Sequence, residues 1–91
     1  MPQIIIASQF AEFTNGRKTF ALPCTNALQL MDGLRIEEPL LYSAIVEGDY
    51  CLKPFISLVI DDIPYADQET WNKIALRPDS TALIISAVAG G

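Results

Sequence analysis

A chain of 91 residues, 51% of them hydrophobic, has the apolar content for one packed core, which excludes an intrinsically disordered polymer. Six Lys and Arg against eleven Asp and Glu leave a net charge of −5, and Arg17-Lys18 is the only adjacent basic pair, so the clustered positive charge that nucleic acid requires is missing. No apolar run approaches the ~20 residues that span a bilayer, and no basic start leads into a signal-like apolar stretch; a soluble cytoplasmic domain over residues 1–91 is expected.

Taken in chain order, Pro2 to Ser8 contains three consecutive β-branched isoleucines and reads as a buried strand. Gln9 to Thr14 reads as a loop or as a continuation of that strand. Asn15-Gly16 is a turn signal, because both residues tolerate positive φ, and Arg17 to Leu22 forms the second arm of a hairpin. Pro23 ends it, and Thr25 or Asn26 is placed to cap a helix. From Ala27 to Ile36 the spacing of Ala27, Leu30, Met31 and Leu34 gives one apolar helical face, with Gly33 a point where the helix ends or kinks.

Glu37-Glu38-Pro39 opens another helical turn, with proline at a tolerated position and carboxylates near the positive end. Leu40, Leu41, Ala44 and Ile45 are its expected apolar anchors, and Glu47-Gly48-Asp49 is a turn. Phe55 to Ile60 is the most strand-like segment, and Asp61-Asp62 turns it into a short strand at Ile63 to Tyr65. Gln68 to Leu76 supplies a helical turn with Trp71 and Ile74 directed inward. Phe10 and Phe13 read likewise as core or loop anchors. Arg77 to Ser80 turns the chain into a last strand, Thr81 to Val88, followed by Ala89-Gly90-Gly91. Strands this sparse bury themselves only under the helix, which predicts an α+β fold: a mixed sheet of four to five strands covered by one main helix. If the first and last strands lie side by side in the centre, the arrangement is a β-grasp.

The chain has no histidine, which removes the commonest general base and metal ligand. Cys24 and Cys51 lie far apart and cannot complete a zinc site without further ligands, so buried structural thiols are expected and no metal site. These absences point away from an enzyme acting alone and toward the end of the chain. Two residues without Cβ let an extended tail enter a narrow channel and present a terminal carboxylate; otherwise they are a frayed terminus.

Lys53-Pro54-Phe55-Ile56 leading into Ser57 to Ile60, the Asp61-Asp62 turn, and Ala82 to Ile85 closing in Ala87-Val88-Ala89-Gly90-Gly91 resemble the ubiquitin-like sulfur carriers of the MoaD/ThiS family. Pro39-Leu40-Leu41 to Gly48-Asp49 is similar to the middle segment of its longer members. Asp61-Asp62, Arg77-Pro78-Asp79-Ser80 and Ser86-Ala87 depart from the family's usual residues and leave the pathway open. The resemblance implies a β-grasp domain with a flexible Gly-Gly tail over 89–91. It also implies that a MoeB/ThiF-like adenylyltransferase activates the Gly91 carboxylate with ATP, no cofactor being held permanently. The resulting thiocarboxylate serves an acceptor enzyme such as a molybdopterin-synthase large subunit. Carriers for cysteine, thiamine or secondary-metabolite sulfur, a ubiquitin-like protein modifier, and a plain interaction domain are the alternatives. The tail, extended at about 3.3–3.6 Å per residue, reaches roughly 13 Å from Val88 to Gly91. By the same resemblance Leu83, Ile85, Val88, Ala89 and Gly90 face the partner, and Ile84 faces the core.

Overall fold

The computed structural model describes residues 1–66 and 70–86. Four segments make the scaffold of the sheet. β1 (Gln3–Ile6) pairs antiparallel with β2 (Thr19–Ala21) and parallel with the last strand, whose far side is antiparallel to a hairpin. Between β2 and that hairpin come α1 (Ala27–Glu37), α2 (Pro39–Ile45) and a small two-stranded ribbon, β3 (Val46–Glu47) with β4 (Cys51–Leu52). The hairpin is β5 (Ile56–Ile60) and β6 (Ile63–Tyr65), and β7 (Thr81–Ser86) closes the described chain. The main sheet runs β2-β1-β7-β5-β6, so the first and last strands lie side by side in the middle, as a β-grasp requires, and they run parallel. No helix among the described residues is long and apolar enough to cross a membrane.

Period-two alternation explains the layering. Ile4, Ile6, Ile56, Leu58, Ile60, Ala82 and Ile84 are all buried on one face of the sheet. Ala27, Leu30, Met31 and Leu34 of α1 are buried as well, and the two sets join in one core. Asn26 caps α1, its side-chain oxygen accepting from the Gln29 amide at 2.8 Å. Pro39 sits in the first turn of α2.

Several expectations change. Gly33 does not end α1, which runs through it to Glu37; the missing Cβ instead makes room for Leu22. Ser8–Thr14 is a 3-10 helix and not a continued strand. Its end is fixed by Asn15 and Gly16, both at positive φ as the turn signal requires, and by the Gly16 amide donating to the Ala11 carbonyl. Leu40, expected as an anchor, is exposed, because α2 turns Leu41 and Ile45 inward. Cys24 is buried but Cys51 is exposed on the short ribbon, correcting the reading of both as buried thiols.

The ribbon itself was absent from the sequence reading. Its turn is held from outside: Trp71, buried in a 3-10 turn (Trp71–Lys73), donates its indole N–H to the Tyr50 carbonyl at 2.9 Å, and the Tyr50 hydroxyl donates to Asp32 of α1. Trp71 and Phe10 are thus core residues, with Phe13 and Ile74 half-buried against the core. The expected start of the Trp71 segment at Gln68 lies outside the described residues.

Candidate functional site

The site is assembled around β7, the central strand whose C-terminal end leads toward the Gly-Gly sequence. Its N-terminal end is anchored by a polar clasp. Asp61, in the β5–β6 turn at positive φ, accepts from the Ser80 hydroxyl at 2.7 Å and from the Thr81 amide at 3.0 Å. The Ser80 oxygen in turn accepts from the Arg77 amide at 2.8 Å. The Ser80 hydroxyl, then the Thr81 amide and the nearby Arg77 charge, hold the Asp61 carboxyl below its ordinary range against a smaller opposing effect of burial.

From this anchor β7 runs between β1 and β5, and its side chains alternate. Ala82 and Ile84 are buried, Leu83 is half-buried, and Ile85 is 39% exposed on the face turned away from α1. Register places Leu83 between Ile5 and Val59, Ile85 beside Ser57, and Pro64 beyond Val59. Ile5, Val59, Leu83, Ile85 and Pro64 therefore form a continuous apolar patch on the outer sheet face, where a solvated sheet face would ordinarily alternate to polar residues. Ile5, Val59 and Pro64 were not singled out from sequence. The signal for Ile5 was present, since in Ile4-Ile5-Ile6 the middle residue must face opposite to its buried neighbours.

Ser86, the last described residue of β7, pairs with Ile56. Beside Ile56 opens a shallow groove that Cys51, Lys53, Pro54 and Phe55 help to line. Phe55 stands exposed there with φ +70°. Val88, Ala89, Gly90 and Gly91, the proposed reactive tail, lie outside the described residues.

No group of three or more His, Cys, Asp or Glu able to hold a metal occurs among the described residues. Burial pushes the Cys24 thiol up, away from the reactive thiolate, with a smaller opposing effect from the positive N-terminus. What the described site offers is an apolar patch beside the strand that leads to the chain's last residues.

A mixed sheet with parallel β1 and β7 at its centre, crossed by one main helix, defines a ubiquitin-like β-grasp protein. Three solved structures share that fold. It superposes on a chain of the Amycolatopsis orientalis BexX/CysO complex with a TM-score of 0.81 and 20% identity, covering 100% of both. For Mycobacterium tuberculosis CysO the TM-score is 0.78 and the identity 14%, over 97% of this chain and 100% of that one. For small archaeal modifier protein 1 of Haloferax volcanii the TM-score is 0.77 and the identity 17%, over 96% and 97%. No protein-family model matches the chain, and no curated protein matches it in sequence.

Proposed function

We propose that the protein is a sulfur carrier of the MoaD/ThiS kind, a protein co-substrate that contributes no catalytic group of its own. The observation that carries the reading is the conjunction of a β-grasp sheet with Gly90-Gly91 following its central strand. The Gly91 carboxylate is ionised near neutrality and is a poor electrophile. A MoeB/ThiF-like partner transfers AMP from ATP to it, releasing pyrophosphate and forming a mixed anhydride. A sulfide equivalent then attacks the carbonyl carbon and expels AMP, leaving a thiocarboxylate whose soft sulfur is delivered to an acceptor enzyme. The patch of Leu83, Ile85, Val59 and Ile5 docks the body while Val88, Ala89 and Gly90 lead the carboxylate into the partner's channel. Likeness to a chain solved within a two-protein complex supports a partner-bound mode of work.

The preferred pathway is molybdenum-cofactor synthesis in the cytoplasm, with the chain as the small subunit beside a molybdopterin-synthase large subunit. Carriage of sulfur for cysteine, thiamine or secondary metabolites uses the same chemistry, and the adjoining genes distinguish them. The likeness to a small archaeal modifier protein favours one second reading, isopeptide conjugation of Gly91 to lysines.

Intact-mass measurement after co-expression with a cognate activating enzyme tests all of these. Replacement of one oxygen by one sulfur supports the carrier, and adducts on lysines support the modifier. No change with any activating enzyme favours a plain interaction domain. Deleting Gly91 should abolish ATP–pyrophosphate exchange, because the carboxylate withdraws by about 3.5 Å and even ~1 Å of misplacement costs around a hundredfold. Exchange at the full-length rate by the truncated chain would sink the proposal.

A further inference from the structure

The two edges of the main sheet are β2 and β6, and they differ in what their backbones offer. On the β6 side, the Asp61 amide donates to the Thr81 carbonyl, so alternate residues of β5 are committed to β7 and Leu58 and Ile60 are committed to β6. Pro64, opposite Val59, therefore occupies the outward-facing position of β6 and has no N–H to present. That edge is closed to strand addition.

The β2 edge is open. The Ile6 amide donates to the Lys18 carbonyl and the Leu22 amide to the Pro2 carbonyl, which fixes Ile4–Phe20 as the hydrogen-bonded pair between them. Thr19 and Ala21 consequently direct both N–H and C=O away from the sheet, and both residues are exposed. Beside them stand Arg17 and Lys18, the one adjacent basic pair of a chain with net charge −5. Arg17 is fixed next to the strand by its ion pair with Glu38 and by lying over the Phe20 ring at 5.4 Å. No ion pair among the described residues engages Lys18.

We infer that the β2 edge is a second interaction surface, separate from the β7 patch, that accepts an extended acidic peptide segment of a partner protein as an added strand. Thr19 and Ala21 supply four backbone groups for the new ladder, and Lys18 and Arg17 select carboxylate side chains on the helix-facing side of that strand. The local pair acts within the ~8 Å screening length at physiological salt, so the chain's distant negative charge opposes it little. A second copy of this chain is a poorer occupant, because its own β2 would bring another Lys18, and the acid beside it, Glu38, is already paired with Arg17. The inference does not depend on Gly91 or on sulfur chemistry.

The test is amide NMR of the full chain titrated with an acetylated, amidated hexapeptide alternating valine and glutamate. The Thr19 and Ala21 amides should shift and exchange more slowly with solvent, while Phe20, already bonded to Ile4, stays unchanged. Lys18→Glu should weaken binding several-fold, and Ala21→Pro should abolish it by removing an outward donor. Because Ala21→Pro also risks the fold, the same peptide N-methylated on its β2-facing side is applied to the unaltered protein and should not bind. Equal binding of the N-methylated peptide, or of a valine–lysine alternate, would overturn the proposal. So would shifts confined to Ile63–Tyr65 or the β7 patch, or protection of Thr19 and Ala21 in a concentration-dependent dimer without peptide.

Discussion

Gly33→Ala tests whether this glycine serves α1 or its neighbour. A methyl group there ends the backbone-entropy cost of a mid-helix glycine, a gain of about 1 kcal/mol. Against it, the added Cβ would lie 3.2 Å from Cδ1 of Leu22, with the other two nearest atoms of Leu22 at 3.7 and 3.8 Å. Only the one methyl must retreat, by roughly 0.4 Å, to recover an ordinary carbon–carbon contact near ~3.5–4.0 Å. A turn of ~15° about a side-chain bond suffices, and it costs well under the ~0.5–1.5 kcal/mol of a full ~30° departure from a rotamer. The helix term wins, leaving a net stabilisation of about 0.5 kcal/mol and a Tm rise of ~2–4 °C for a domain of this size. Thermal unfolding followed by circular dichroism reads this directly. Gly33→Val adds two further carbons at the same contact and should lower Tm. A fall in Tm for Gly33→Ala would refute the reasoning and show that Leu22 cannot yield.

Ser80→Ala, made at a position 1% exposed, strips the Arg77 amide of its acceptor and Asp61 of its shortest donor; it should cost ~1–3 kcal/mol in a denaturant titration. Asp61 is held ionised in the folded protein, so its contribution is full above the unfolded carboxylate value of about 3.9 and is lost as pH falls through the lower folded value. Asp61→Asn, which still tolerates positive φ, should therefore flatten the acid limb of a Tm–pH profile below about pH 4; an unchanged limb would contradict the clasp. Trp71→Phe removes the donor to the Tyr50 carbonyl and leaves a void, and should destabilise by ~2–4 kcal/mol in a circular-dichroism melt. In native protein at neutral pH, iodoacetamide should modify exposed Cys51 and spare buried Cys24, as mass mapping of the alkylated peptides will show.

Local chemistry accounts for what was legible in the chain. The Asn26 cap, the Asn15-Gly16 and Asp61-Asp62 turns, and the strands built on Ile4 to Ile6 and Ile56 to Ile60 all depend on backbone preference and residue period, which are written in neighbouring residues. So was the inward orientation of Ala27, Leu30, Met31 and Leu34. The Gly90-Gly91 signal is likewise a property of the sequence, and it carries the functional proposal.

Other features exist only because distant segments meet. Gly33 reads locally as a break, yet α1 continues through it, and Leu22, eleven positions earlier, packs where a side chain would come within 3.2 Å. The β3–β4 ribbon has two-residue strands too short to show a period; its turn is held at Tyr50 by Trp71 and Asp32 from elsewhere in the chain. Alternation could assign Leu83 and Ile85 to one face of β7. Only the register with β1 and β5 brings Ile5 and Val59 alongside Leu83 and makes that face a patch. The same holds at the edges: which of Thr19, Ala21 and Pro64 turns its backbone outward is a matter of pairing partners, and no residue carries that information alone.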